Sequence, residues 1–72
     1  MNYLTKHLTN REVQIVELLC KGFSDFAIAD QLNISTHTVK THLRNIYSKT
    51  DLRSRSELIV GYLNNTDAKE GK

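Results

Sequence analysis

Lys40, Thr41 and Arg44 stand at i, i+1 and i+4, with His37 three residues before Lys40 and Ser48 four after Arg44. On a helix these five side chains share one face. Lysine and arginine donate to O6 and N7 of guanine. Threonine donates or accepts, and its methyl meets the methyl of thymine. No acid occurs between Ser35 and Lys49, so nothing on this stretch repels a phosphate. A stripe with these donors suits the major groove of a nucleic-acid duplex.

Other chemistries find little footing in the sequence. There are no paired carboxylates with a pocket to serve, no nucleophile with its base and no glycine-rich phosphate loop. The chain is not expected to be an enzyme. Cys20 is the single cysteine, and no C-x-x-C or H-x3-H spacing links it with His7, His37 or His42, so neither metal nor cofactor is expected. Cys20 reads as a small core residue, and one thiol fits a reducing, cytoplasmic setting. No apolar run approaches the roughly 20 residues that cross a bilayer, and no membrane partner is expected.

The net charge of +2 decides nothing, but its distribution is informative. Residues 35–55 hold Lys40, Arg44, Lys49, Arg53 and Arg55 against Asp51 alone, while the flanking segments each carry one more acid than base. Positive charge gathered in the segment that bears the donor stripe is the footprint of a polyanion-binding surface.

Four helices are expected to position these groups, giving an all-α fold with a central helix-turn-helix. With 72 residues, no proline and three glycines, the chain suits one small helical domain. Thr9-Asn10-Arg11-Glu12 fits a capping box, with Leu8 and Val13 as a hydrophobic staple. Val13, Val16, Leu19 and Cys20 then make an apolar stripe that Ile15 and Leu18 widen, and Gly22 stops the helix. Ser24 caps a second, short helix whose inner face is Ile28, Ala29 and Leu32. Asn33 suits a left-handed turn. Ser35 caps a third helix, about Thr36 to Thr50, some 22 Å long. Its inner stripe is Val39, Leu43, Ile46 and Tyr47, opposite the donors. Ser54-Arg55-Ser56-Glu57 is a second capping box and opens a fourth helix to about Leu63. Residues 1–7 read as an N-terminal arm, 8–64 as the domain and 65–72 as a flexible tail.

The series Leu8-Thr9-x-Arg11-Glu12, Gly22-x-Ser24, Ile28-Ala29-x-x-Leu32-x-Ile34-Ser35, Thr38-Val39-Lys40-x-His42, Ile46-Tyr47-x-Lys49 and Arg55 resembles the LuxR/FixJ (NarL/GerE) type of DNA-binding domain. The resemblance covers Leu8 to about Leu63. It implies a bacterial transcription regulator, such as a response-regulator output domain, whose third helix reads double-stranded DNA. It places Lys40, Thr41 and Arg44 against bases and Thr38 against a phosphate. Ser24, Thr36, His37, Ser48 and Arg53 are further phosphate candidates. It implies that the fourth helix pairs two domains; the small apolar patch there points to weak pairing on DNA, and RNA polymerase is a further expected partner. Two positions depart from the family. Phe26-Ala27 replaces its usual polar pair, which removes a capping carboxylate and leaves Phe26 as an exposed apolar contact. Thr50 replaces its usual leucine, which weakens the end of the third-helix core.

The fourth helix adds its own signal. Leu58, Ile59, Val60, Tyr62 and Leu63 exceed what one buried stripe needs. The surplus, Ile59, Val60 and Leu63, fits a small dimer contact, and Gly61 would allow close approach there. Three alternatives stay open. His42 is a packed histidine bonded to a backbone carbonyl, or a phosphate donor. Glu12 is a cap only, or also pairs with Lys49 or Arg55. The whole chain is a DNA-binding domain, or an interaction module that pairs with a full-length regulator and inhibits it. A promoter-recognition domain like region 4 of a sigma factor shares the helix pair, but the apolar fourth helix and the Thr38-to-His42 series favour the first family.

Overall fold

The computed structural model describes residues 4–71, with side chains described over 6–64. Among the described residues there are four α-helices and no strand: α1 (Asn10–Cys20), α2 (Asp25–Leu32), α3 (Thr36–Thr50) and α4 (Arg55–Gly71). A short 3-10 helix, Leu4–His7, precedes them and packs against α3 and α4. It occupies the latter part of the expected arm; residues 1–3 of that arm lie outside the described residues.

Each helix start is set by a local hydrogen bond. Thr9 and Glu12 form the complete capping box: the Glu12 N–H donates to Thr9 Oγ1 at 3.1 Å, and the Thr9 N–H donates to Glu12 Oε1 at 2.9 Å. Ser24 accepts from the Ala27 N–H at 3.1 Å, and Ser35 from the Thr38 N–H at 3.0 Å. Ser54 accepts from the Glu57 N–H at 3.2 Å, but the second half of the expected box is shifted. The Glu57 carboxylate accepts from the Arg53 N–H, one residue before the cap, because the chain entering α4 turns that donor towards it.

The ends of α1 and α2 are alike. Gly22 takes φ +91° and Asn33 φ 59°. After each helix two N–H groups fold back onto its last carbonyls: Gly22 to Leu19 and Phe23 to Leu18, then Asn33 to Asp30 and Ile34 to Ala29. α3 ends at Thr50, as its sequence suggests, but on a left-handed residue that the sequence did not single out. Asp51 is left-handed at φ 63°, an unfavourable conformation for most side chains but one that aspartate tolerates. The Thr50 hydroxyl donates to the Ile46 carbonyl at 2.8 Å and so is satisfied where the family's leucine would be.

The core is Ile15, Val16 and Leu19 from α1, Ile28 and Ala29 from α2, Val39, Leu43 and Ile46 from α3, and Leu58 from α4. The α3 stripe matches expectation, with Tyr47 half-buried at its edge. On α1 the expected stripe is rotated. Ile15 is fully buried and Val13 only half-buried, because α3 and α4 both pack on α1 and its buried arc centres between them. α4 also runs further than the sequence suggests. Its helical backbone continues to Gly71, past Leu63, with no proline or glycine between Leu63 and Gly71 to stop it. Residue 72 of the expected tail lies outside the described residues.

Candidate nucleic-acid interface

α2 packs against α3 across the tight Asn33-Ile34-Ser35 turn, and this pairing fixes how α3 stands on the domain. Val39, Leu43 and Ile46 are sunk in the core, so the opposite arc of α3 is forced outward. His37, Lys40, Arg44, Asn45 and Ser48 are exposed on it. Lys40 and Arg44, one turn apart, line one open depression with Asp25, Leu43, Tyr47 and Arg55. Thr41 lies on the same arc by register but is half-buried.

The phosphate candidates are more dispersed. Ser24 and Thr36 line a second depression together with Phe26, Lys40 and Arg55, at the start of α2. The Thr38 hydroxyl sits 2.9 Å from the Ser35 hydroxyl, inside the cap of α3. Arg53 is exposed in the α3–α4 connection, away from these groups in sequence, and its N–H is engaged by Glu57. His42 is half-buried and forms no hydrogen bond among the described residues, so of its two readings the carbonyl-bonded one is not met.

Two ion pairs decide which cations remain available. Lys49 Nζ lies 2.8 Å from Glu12 Oε1, which ties α3 to α1. Arg55 pairs with Asp25, which ties α4 to the start of α2. The open question about Glu12 is thereby answered: it caps α1 and takes Lys49, while Arg55 goes to a carboxylate that sequence reasoning did not consider as its partner. Burial pushes the Glu12 carboxyl up, but the Lys49 and Thr9 hydrogen bonds outweigh it and hold the group below its ordinary value. Among the described residues Lys40 and Arg44 have no carboxylate within ion-pair distance. The Tyr47 phenol beside them is pushed up, by burial first and by Asp25, with Arg55 opposing, so it stays protonated at neutral pH.

Among the described residues the remaining titratable groups form no reactive centre. Burial, aided by Glu17, pushes the Cys20 thiol up, the reverse of what a nucleophile needs. Tyr62 donates to Glu17 at 3.2 Å, between α4 and α1. Among the described residues no group of three histidine, cysteine or acidic side chains could hold a metal ion. No helix among them is long and apolar enough to cross a membrane.

Residues 6–61 match the family described as bacterial regulatory proteins, luxR family. The chain belongs to that family. Its helix pair is therefore the helix-turn-helix of a LuxR-type domain, a regulator's module rather than an enzyme's. Among its relatives is the monoamine regulon transcriptional regulator of Klebsiella aerogenes, 52% identical over 72% of this chain and 23% of that protein. The HTH-type transcriptional regulator MalT of Vibrio campbellii is 45% identical over 78% of this chain and 6% of its own length. MalT of Vibrio cholerae is 42% identical over 76% of this chain and 6% of its length. The chain thus spans less than a quarter of these relatives.

On α4 the expected pairing residues divide. Val60 and Leu63 are 53% and 49% exposed, whereas Ile59 is half-buried and packs against the core. Gly61 lines an open depression with Leu52 and Val60, and a Cβ there would meet Leu52 of the same chain at an ordinary contact distance of 3.5 Å.

Proposed function

We propose that this domain binds double-stranded DNA sequence-specifically as the DNA-reading part of a bacterial transcription regulator in the cytoplasm. α3 enters the major groove, with Lys40, Thr41 and Arg44 at base edges. Ser24, Thr36, His37, Thr38, Ser48 and Arg53 hold phosphates on either side. One observation carries the reading. Glu12 and Asp25 engage Lys49 and Arg55, while Lys40 and Arg44 stand exposed and unpaired on an acid-free face. Unpaired donors on a helix held rigidly by its apolar flank fit base readout, in which geometry supplies specificity and phosphate contacts supply affinity.

The exposed Val60 and Leu63, next to Ile59, support weak pairing of two domains through α4 when both lie on DNA. The same small edge supports a second reading, in which α4 docks on a full-length regulator and inhibits it.

The test is selection of bound genomic fragments by the parent protein, followed by binding titrations with Lys40→Ala and Arg44→Ala. Each variant should weaken the selected site by about 1–3 kcal/mol per lost base contact while non-specific binding falls less. If the parent selects no sequence, or both variants footprint like it, the assigned face is wrong. Loss of a partner regulator's DNA binding on adding the parent, with no fragment selected, would favour the inhibitory reading.

A further inference from the structure

Phe26 is the most exposed large apolar side chain described, at 77%. It is the second residue of α2, and it lines the depression that also contains Ser24, Thr36, Lys40 and Arg55. An aromatic ring left in water is unremarkable when its surroundings are solvent on all sides. Here the surroundings are specific. The depression runs from the ring to Lys40, the first cation of the exposed α3 face. The start of α2 carries the positive end of its helix dipole. Asp25, the acid beside Phe26, is neutralised by Arg55, so nothing at this edge repels a phosphodiester.

We propose that Phe26 contacts the duplex directly, its ring packing on hydrocarbon at the edge of the site that α3 reads, either a thymine methyl or a deoxyribose. This rests on the DNA-binding reading above and adds a residue to it. The positive rim draws the duplex in, and the ring then meets the apolar part of what arrives. A phenylalanine is one of the side chains that recognises the thymine methyl. A protein partner is less well matched: Phe23 also lines the depression, but so do Asp25 and Lys40, residue types depleted at the centre of protein interfaces.

The experiment uses the full chain and the fragment that it selects. Phe26→Ala should bind that fragment about tenfold more weakly, the order expected for uncovering part of an aromatic ring. Its salt slope should equal the parent's, since an apolar contact releases no counterion. Phe26→Lys should instead steepen the slope by about 0.9, one extra phosphate neutralised. Replacing each thymine of the fragment with deoxyuridine identifies the contact. If one replacement weakens the parent about fourfold, the worth of a buried methyl group, and leaves Phe26→Ala unaffected, the ring meets a thymine methyl. If Phe26→Ala loses affinity but no replacement matters, the ring meets a deoxyribose. Phe26→Ala binding as tightly as the parent, with the same selected sequence, overturns the inference and leaves the ring for a protein. Lys40→Ala and Arg44→Ala run in parallel separate the two levels. If they weaken and Phe26→Ala does not, only this inference fails; if they too match the parent, the α3 reading fails. Because Phe26 lies outside the core, circular dichroism should show the parent's fold in each variant.

Discussion

Removing the Glu12 carboxylate should cost this domain a large part of its stability. Glu12 is 3% exposed, yet it carries a charge, and that charge has two donors. The Thr9 N–H reaches Oε1 at 2.9 Å and closes the cap of α1; Lys49 Nζ reaches the same oxygen at 2.8 Å and joins α1 to α3. Hydrogen bonds to charged groups contribute about 1.5–3 kcal/mol each. Lys49 is more than a third exposed and returns to water when its partner leaves, so its share lies at or below the low end. Glu12→Ala should then cost about 2–3 kcal/mol, and for a domain of this size that lowers the melting temperature by about 10–20 °C. Glu12→Gln keeps an acceptor that suits the capping box and should cost less, about 1 kcal/mol.

Lys49→Met is the sharper comparison. It leaves a buried carboxylate with only the Thr9 donor, and breaking one side of a buried pair costs more than removing the pair. The double variant Glu12→Gln, Lys49→Met should therefore be more stable than Lys49→Met alone. Acidity gives an independent check. The Glu12 carboxyl is held below its ordinary value of 4.5 in the fold. Its contribution is complete above that pH and disappears as pH falls through the lower, folded value. Urea midpoints followed by circular dichroism should fall below pH 4.5 in the parent and fall less steeply in Glu12→Gln. A Glu12→Ala variant melting within about 2 °C of the parent, or a double variant no better than Lys49→Met, would refute the assignment of this carboxylate to the core.

Asp25→Ala releases Arg55 beside the depression that holds Lys40 and Arg44. Both partners are partly exposed, so stability should fall by no more than about 1 kcal/mol; non-specific DNA affinity should rise and the salt slope steepen by about 0.9 in a titration series. Val60→Asp should leave the melting temperature within about 3 °C of the parent, since half-exposed surface positions change stability little. It should reduce cooperative occupancy of two adjacent half-sites in a footprint; unchanged cooperativity would remove Val60 from the proposed pairing surface.

The sequence by itself determined whatever depends on neighbours three or four residues apart. Thr9, Ser24, Ser35 and Ser54 each cap a helix because the bond they make closes within one turn. Gly22 and Asn33 end helices because a left-handed residue suffices. The bounds of α3 and the division between its core stripe and its exposed stripe follow from one helical period. For the same reason the arc bearing Lys40 and Arg44 was legible before any packing was known.

Only the tertiary structure decided which long side chains meet. Glu12 and Lys49 are 37 residues apart, and Asp25 and Arg55 are 30 apart. Nothing local prefers Lys49 to Arg55 for Glu12; the packing of α3 against α1 does. The packing of the helices also centred the core on Ile15 instead of Val13, and half-covered Thr41 while leaving Lys40 and Arg44 bare. A helix period fixes directions around one axis, but the partner found in a given direction depends on where the other axes lie.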